Sequence, residues 1–152
     1  MNIRDSVAFI TGANRGIGLV FAQQLLAAGV RKVYATARHP ESIALNGAHR
    51  VRLDVTKPAD VAAAARDCAD LVINNAGSAH WTGFLSPGSV DSARAEMETH
   101  YYGPLLLALS WVAVPNAGTY SASKAAAWAL TNWLWTALRE SRLGCRMNVA
   151  FT

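Results

Sequence analysis

The stretch TGANRGIG, from Thr11 to Gly18, restricts the fold of this chain more than any other feature. It follows SVAFI, a short β-branched and aromatic run typical of a strand, and it opens GLVFAQQLLAAG, whose apolar residues recur at helical spacing. In this context Gly12 predicts a tight turn, Gly16 a close approach of the backbone to a pyrophosphate, and Gly18 close packing of helix on strand. The helix N-terminus would offer unpaired N–H groups to the phosphates.

The next segments alternate between the two kinds of secondary structure. RKVYATAR, HRVRLDVT and DLVINNAG are predicted as strands, KPADVAAAARDCA as a helix, and HPESIALNG as a loop or a short helix. The first helix is expected to end at Gly29. This alternation predicts an α/β fold in which helices cover both faces of a parallel sheet.

The second half of the chain is dominated by two predicted helices. SVDSARAEMETHYYGPLLLALS is expected to be kinked or restarted at Gly103–Pro104, and SASKAAAWALTNWLWTALRESRLG to end at Gly144. Little more than LSWVAVPNAG lies between them, so a fifth strand, if present, is confined to Leu109–Val114.

The amino-acid composition excludes several classes of protein. With 152 residues, 52% hydrophobic and 16% charged, the chain is long enough for one domain and is not disordered. No apolar run is long enough to cross a bilayer, and the net charge of +4 comes from scattered basic residues without interleaved aromatics. Cys68 and Cys145 fit neither a metal site nor a disulfide framework. We expect a cytoplasmic protein without nucleic-acid, membrane or metal partners, and with no leader segment.

Four motifs occur in an order that is specific in combination: TGANRGIG, LDVT (Leu53 to Thr56), NNAG (Asn74 to Gly77) and YSASK (Tyr120 to Lys124). In this order the chain resembles the short-chain dehydrogenase/reductase family over nearly its whole length. The resemblance implies a Rossmann-type doubly wound parallel sheet in three α/β/α layers, formed by one dinucleotide-binding domain over residues 1–152. It also implies a nicotinamide cofactor and a small-molecule carbonyl or alcohol substrate.

The resemblance also assigns cofactor-binding residues. Asp54 and Val55 would border the adenine ring, while Asn74, Ala76 and Gly77 would stabilise the sheet and line the far side of the cofactor. The full expected set is Gly12, Asn14, Arg15, Gly16, Ile17, Gly18, Arg38, Asp54, Val55, Asn75, Ala76, Gly77, Tyr120 and Lys124.

Charge predicts which dinucleotide is preferred. Relatives that prefer NAD carry an acid for the ribose hydroxyls at the end of the second strand, where VYATAR has Ala37 followed by Arg38. Arg15 lies in the glycine loop on the same side. Because guanidinium groups bind phosphate in a bidentate manner, we expect NADP(H) in preference to NAD(H). The alternative is that both arginines are merely exposed.

Tyr120 and Lys124 are four residues apart on a predicted helix, so their side chains share one face. A nearby ammonium favours the phenolate. By resemblance, Tyr120 exchanges a proton with the substrate oxygen, and Lys124 also holds the nicotinamide ribose.

Three departures from the family pattern qualify this interpretation. The family's substrate-holding serine stands thirteen residues before the tyrosine, and here that position is Leu107. Ser110 is a possible substitute, and His100 stands where the family has an asparagine that supports a proton path. A block with strand five and its serine is expected to be missing, and the chain ends at Thr152, before the family's substrate-covering segment. The alternatives are therefore an active oxidoreductase, a degenerate or truncated relative that binds dinucleotide with little or no catalysis, or a sequence from which residues are omitted.

Aromatic residues suggest further contacts. Trp128, Trp133 and Trp135 load one predicted helix more heavily than one buried face requires, so we expect a homodimer or homotetramer through this helix and the preceding long one. His80 and Trp81 either border the substrate cleft or pack within a loop.

Overall fold

The computed structural model describes residues 3–65, 69–83 and 85–111, which belong to one unit, Met1–Ala113. The predicted helix that carries Tyr120 and Lys124 lies outside the described residues. The described part contains four strands: β1 (Val7–Ile10), β2 (Lys32–Ala37), β3 (His49–Arg52) and β4 (Leu71–Ile73). Four α-helices accompany them: α1 (Gly16–Ala27), α2 (Pro58–Ala64), α3 (Ser89–Met97) and α4 (Gly103–Trp111). Short 3-10 turns lie at Ile3–Asp5 and Pro40–Ser42, and a π-helical turn, Glu98–Tyr102, joins α3 to α4.

The four strands form one parallel sheet in the order β3-β2-β1-β4. All four residues of β1 are buried, as expected for a strand that has neighbours on both sides and helices on both faces. Phe9 on β1 pairs in register with Tyr34 on β2 and with Val72 on β4. The carboxyl ends of the strands therefore lie along one edge of the sheet.

The alternation of side chains along β1 separates two hydrophobic cores. Ala8 and Ile10 face the core that contains Ala22 and Leu25 of α1, whereas Val7 and Phe9 face the core that contains Val61 of α2 and Leu107 of α4. Helices thus cover both faces of the sheet. The prediction of a three-layer α/β fold with a parallel sheet is confirmed.

The end of α1 also follows the sequence prediction. Gly29 has φ +78°, a left-handed conformation that glycine adopts at low cost, and its N–H donates to Leu26 O at 3.0 Å. Val30 N then donates to Leu25 O at 3.1 Å, which closes the last helical turn and directs the chain into β2.

The helical segment after β4 differs in one respect from its prediction. It is interrupted just before Gly103, as expected, but the interruption is the π-helical turn rather than a break at Pro104. Helix α4 then continues to Trp111, so Leu109, Ser110 and Trp111 are helical. The helix predicted through Ser110 is thus confirmed, and a fifth strand within Leu109–Val114 could not include Leu109, Ser110 or Trp111; the rest of that range lies outside the described part.

Among the helices of the described residues, none is both long enough and apolar enough to cross a bilayer.

Candidate functional site

A cleft of about 1000 Å³ runs along the carboxyl edge of the sheet. Its walls come from the loops that follow all four strands and from one side of the α3 region. In parallel α/β sheets, ligands bind at this edge. The lining residues are Gly12, Asn14, Arg15, Gly16, Ile17, Ala37, Arg38, His39, Leu53, Asp54, Val55, Thr56, Asn75, Ala76, Gly77, Ser78, His80, Ala95, Glu98 and Thr99.

Each of the three glycines in the loop after β1 is required for a different structural reason. Gly12 has φ +66°, and a Cβ there would lie 2.9 Å from Ala76 Cα. A Cβ on Gly18 would overlap Asn75 Nδ2 and Gly12 O, so only glycine lets α1 begin this close to the loop. Gly16 has φ +56°, and a Cβ on it would meet no atom within 4 Å, so its backbone borders the open cleft. This open approach is what a phosphate group requires.

The N-terminus of α1 is available to an anion. Arg15 is the N-cap residue, and its side chain makes no capping hydrogen bond. The first amide groups of a helix have no partner within the helix, and together with the helix dipole they attract negative charge. The cleft wall at Gly16 and Ile17 therefore presents donors and a positive end to the cavity.

Thr11 and Asn75 hold the glycine loop against the loop after β4. Thr11 Oγ1 accepts hydrogen bonds from the backbone N–H groups of Asn75 (2.9 Å) and Ala76 (2.8 Å). Asn75 Nδ2 donates to the carbonyl oxygens of Thr11 (3.0 Å) and Gly12 (3.1 Å). The expected stabilising asparagine was Asn74, but Asn74 is exposed and does not line the cleft. Asn75 makes these bonds because alternate residues of an extended segment point to opposite sides.

The loop after β2 supplies positive charge. Ala37, Arg38 and His39 line the cleft at this end, and Arg15 lines it from the glycine loop. Within the described part of the chain, neither arginine forms an ion pair, whereas His39 Nδ1 lies 3.3 Å from Glu41 Oε1. Both guanidinium groups can thus meet an anion that enters the cleft.

Asp54 is the carboxylate that faces this end of the cleft. Its Oδ1 accepts hydrogen bonds from Thr56 N at 3.1 Å and Thr56 Oγ1 at 2.8 Å. Burial opposes ionisation of Asp54, but the bonds from Thr56, with the charges of Lys57 and Arg38, outweigh it and lower the pKa of Asp54 below 3.8. Asp54 is therefore ionised at neutral pH, and it acts as an acceptor.

The loop after β4 is attached to the α3 region at three points. His100 Nε2 lies 2.7 Å from Ser78 O, and His80 N donates to Glu96 Oε1 at 2.8 Å. The hydroxyls of Thr82 and Ser92 are 2.9 Å apart. Of the two residues expected either to border the cleft or to pack within a loop, His80 lines the cleft. Trp81 does neither, because its side chain is 93% exposed and is not part of the cleft wall.

His100 occupies a confined position in the π-helical turn. A Cβ on Gly77 would lie 2.9 Å from His100 Cε1, so the imidazole packs directly against the backbone of the NNAG segment. His100 Nε2 also lies 3.3 Å from Ser78 N, so the imidazole contacts both backbone groups of Ser78, and its tautomer decides whether Nε2 donates to the carbonyl oxygen or accepts from the N–H. His100 is therefore hydrogen-bonded and close to the cleft wall, without lining it.

The structure brings most of the expected cofactor residues to one place. Those that line the cleft are Gly12, Asn14, Arg15, Gly16, Ile17, Arg38, Asp54, Val55, Asn75, Ala76 and Gly77. Gly18 lies behind the loop, where it permits packing. Tyr120 and Lys124 lie outside the described residues.

Several contributors were missed in the sequence. Thr11 could have been recognised as a hydroxyl that directly follows a buried strand, and Thr56 as a hydroxyl two residues after an aspartate, a common turn pattern. Glu96 and Thr99 gave no signal, because only the fold brings α3 to the loop after β4.

The site fits a dinucleotide. The cleft is at the upper end of the usual range for cofactor pockets, its middle is formed by a glycine whose face is open, and arginines stand at one end. The cleft residues could hold a pyrophosphate at Gly16 and an adenosine between Arg38 and Val55.

Comparison with known proteins agrees with this geometry. The sequence profile of the short chain dehydrogenase family matches residues 6–112. The mouse protein named dehydrogenase/reductase SDR family member 7B is 28% identical over 180 aligned positions, which cover 93% of this chain and 55% of the relative. The chain thus spans about half the length of this curated relative, and the aligned stretch is longer than the 152 residues of the chain.

Two solved structures have a similar fold. A short chain dehydrogenase from Burkholderia cenocepacia in complex with NADP has a TM-score of 0.69 and 34% identity, covering 92% of this chain and 69% of its own. The NADPH-bound carbonyl reductase from chicken fatty liver has a TM-score of 0.64 and 32% identity, covering 72% of this chain and 48% of its own. On the family profile, the parallel sheet and these similarities, the chain belongs to the short-chain dehydrogenase/reductase family.

Proposed function

We propose that the chain binds NADP(H) in the cleft and interconverts a carbonyl and an alcohol on a small-molecule substrate. The observation that carries the choice of cofactor is the pair Arg15 and Arg38 on one cleft, beside Ala37 in the place of a ribose-binding acid. The complexes of the two similar structures with NADP and NADPH support it.

The order of the strands orients the dinucleotide. Because β1 lies between β2 and β4, a pyrophosphate at Gly16 would have the β2 loop on one side and the β4 loop on the other. The arginines favour the β2 side for the phosphorylated adenosine. The nicotinamide, which supplies or accepts the hydride when the cofactor is bound, then belongs on the β4 side, near Gly77 and Ser78.

Tyr120 and Lys124 are proposed as the catalytic pair, from the YSASK motif and the family. In the reducing direction, Tyr120 would donate its phenolic proton to the substrate oxygen as the carbonyl carbon accepts hydride. In the oxidising direction, it would take the proton back. Lys124 would favour the phenolate by its positive charge and would hold the nicotinamide ribose.

Cofactor preference is tested by fluorescence titration of the protein with NADPH and with NADH. NADPH should bind more tightly, because each charge-assisted contact to the 2′-phosphate contributes about 1.5–3 kcal/mol. Arg38→Asp should reverse the preference. Arg50→Asp makes the same charge change on the exposed surface of β3, away from the cleft. This control variant should keep the preference for NADPH over NADH. Equal affinity of the unaltered chain for both cofactors would refute the proposal.

Dinucleotide binding with little or no turnover is the second candidate function. Leu107, which stands where the family has its substrate-holding serine, is 1% exposed within α4 and packs in the core. It therefore cannot reach a substrate. The alignment with the mouse relative is 180 positions long, which is more than the 152 residues of this chain. This excess also favours the view that the chain lacks internal residues that the relative has. Loss of one positioned donor to a reacting oxygen commonly costs about 10²–10³ in rate.

Turnover separates the two candidates. After the intact mass is confirmed, NADPH oxidation is measured with a panel of aldehydes, ketones and quinones. The enzyme hypothesis expects turnover that Tyr120→Phe abolishes while NADPH binding is kept. NADPH binding without turnover on any member of the panel would support the second candidate, and activity that survives in Tyr120→Phe would refute the proposed chemistry.

Self-association as a homodimer or homotetramer is proposed through two helices predicted from the sequence, at Ser92–Ser110 and Ser121–Arg142. Its basis is the load of tryptophans at 128, 133 and 135, which lie outside the described residues. Light scattering should give a mass above that of one chain, and polar replacement of Trp133 and Trp135 should reduce it. A monomer at high concentration would exclude the proposal.

A further inference from the structure

His80 is held by a carboxylate at the wall of the cleft. Its backbone N–H donates to Glu96 Oε1 at 2.8 Å, and its Nδ1 lies 3.5 Å from the same oxygen. The imidazole is 43% exposed and lines the cavity. With Nδ1 directed at Glu96, the other ring nitrogen, Nε2, remains for a ligand. A histidine oriented by a carboxylate is a recurrent arrangement for hydrogen bonding to a reacting group.

The place of His80 in the cleft limits what it can meet. It follows β4, whereas the arginines that would receive the phosphorylated adenosine follow β1 and β2. His80 is therefore at the end of the cleft opposite to that adenosine. On the proposed orientation of the dinucleotide, this end receives the nicotinamide and the substrate.

The loop that carries His80 is attached to α3 and to the π-helical turn by side-chain hydrogen bonds. Thr82 is bonded to Ser92 and Ser78 to His100, on either side of the contact between His80 and Glu96. Trp81 has φ +52°, a conformation that bulky residues seldom adopt. Such strain persists where neighbouring contacts hold the backbone, and it occurs often at functional sites. The three contacts with α3 and the π-helical turn provide this restraint.

We propose that His80 binds the oxygen of the carbonyl or alcohol substrate through Nε2, in the place of the serine that the sequence lacks. This rests on the proposed function. As an imidazolium, His80 donates a hydrogen bond to a carbonyl oxygen, and as a neutral imidazole it accepts one from a hydroxyl. Glu96 is the positioning residue, and Tyr120 retains the proton transfer.

The charged groups around His80 favour this role. Glu96 is the acid in contact with it, Glu98 lines the cleft two residues further on, and His100 faces Ser78. The hydrogen bond from His80 N, more than the opposing effect of burial, lowers the pKa of Glu96 below 4.5, and the two imidazoles add to this. Glu96 is thus negative at neutral pH, so its carboxylate can accept a hydrogen bond from Nδ1 while Nε2 faces the ligand.

The test uses benzaldehyde binding to the full chain saturated with NADP⁺, because aldehyde and oxidised cofactor form a complex without carbonyl reduction. Isothermal titration calorimetry gives the affinity for NADP⁺ and, in the presence of saturating NADP⁺, the affinity for benzaldehyde. His80→Phe keeps a ring without a hydrogen bond and should weaken benzaldehyde binding about 10- to 100-fold. His80→Gln, whose side-chain amide can still donate a hydrogen bond, should lose less benzaldehyde affinity than His80→Phe. Glu96→Gln should show an intermediate loss, since the acceptor oxygen stays but its charge is gone.

Asp91→Asn is the matched control for Glu96→Gln, because it removes the charge of an exposed carboxylate on the same helix, α3, whose ion-pair partner is Arg94. It should leave benzaldehyde affinity unchanged, and all variants should bind NADP⁺ as the unaltered chain does. Equal benzaldehyde affinity in His80→Phe and the unaltered chain, or no benzaldehyde binding to the unaltered chain, would overturn the role of His80. A chain that fails to bind NADP⁺ would instead overturn the proposed function.

Discussion

Asn75 Nδ2 lies 3.0 Å from Thr11 O and 3.1 Å from Gly12 O, so one side-chain amide joins the glycine loop to the loop after β4. The backbone of Asn75 returns the contact by donating to Thr11 Oγ1 at 2.9 Å. Two loops from neighbouring strands are therefore fixed relative to each other before any ligand arrives.

The first prediction concerns this contact. Asn75→Ala should lower the free energy of unfolding by about 1–3 kcal/mol, because two part-buried carbonyl groups lose their donor. It should also weaken NADPH binding, since the glycine loop loses its support. Asn74→Ala, one residue earlier and exposed, is the control for both measurements. Similar urea denaturation midpoints for the two variants would show that Asn75 has no special role.

The second prediction separates the two glycines at the start of α1. Gly18→Ala should be strongly destabilising, because its Cβ would overlap Asn75 Nδ2 and Gly12 O, which cannot move independently. A cost of about 1–3 kcal/mol is typical of such overpacking. Thermal unfolding and NADPH titration should both be affected.

Gly16→Ala should behave differently. Its φ of +56° costs about 1–2 kcal/mol for a residue with a Cβ, and the added methyl group would project into the open cleft. Gly88→Ala is the control, because Gly88 has φ +80°, also in open space, and does not line the cleft. Both should lose similar stability, but only Gly16→Ala should weaken NADPH binding. Equal affinity in the two variants would contradict a phosphate site at Gly16.

The third prediction concerns pH and Asp54. Because its folded-state pKa is lowered, Asp54 stabilises the fold above its unfolded pKa, and this contribution disappears as the pH falls through the folded value, below 3.8. At neutral pH, Asp54→Asn should cost about 1 kcal/mol through weaker bonds to Thr56. The difference from the unaltered chain should shrink in acid. A difference that is constant with pH, measured by urea denaturation, would argue against an ionised Asp54 as the cause.

The fourth prediction uses Leu107. Leu107→Ser places a hydroxyl at the sequence position of the family serine, but within the core that contains Phe9 and Val61. It should lower stability by about 2–5 kcal/mol without raising the rate of carbonyl reduction. Leu107→Met keeps the volume and should cost less than about 1.5 kcal/mol. A rate increase in Leu107→Ser would show that this part of α4 reaches the substrate.

The sequence was informative where structure is determined locally. The strands were predictable from short β-branched runs that end at glycine or at a polar loop, and the glycine loop from its position between β1 and α1. Contacts between distant segments were not predictable. The contact between His80 and Glu96, and the choice of Asn75 over Asn74, depend on how loops meet in space.

The helical interruption shows a second limit of sequence reasoning. Gly103–Pro104 predicted a break, since proline lacks an N–H, but proline is tolerated in the first turn of a helix. Here Pro104 is the second residue of α4, and the irregularity falls in the preceding turn. Helix α4 then continues through LLLALS, as the sequence predicted, so Leu109, Ser110 and Trp111 are not part of a fifth strand.

Strand β3 has a consequence for aggregation. In the described part of the chain it pairs with β2 alone, so its other side presents backbone groups that a second copy could extend into a larger sheet. Three of its four residues, His49, Arg50 and Arg52, are exposed and basic. Two such strands placed side by side would bring like charges together, which disfavours pairing. The charges of β3 thereby disfavour edge-to-edge pairing and fibril-like growth at this edge.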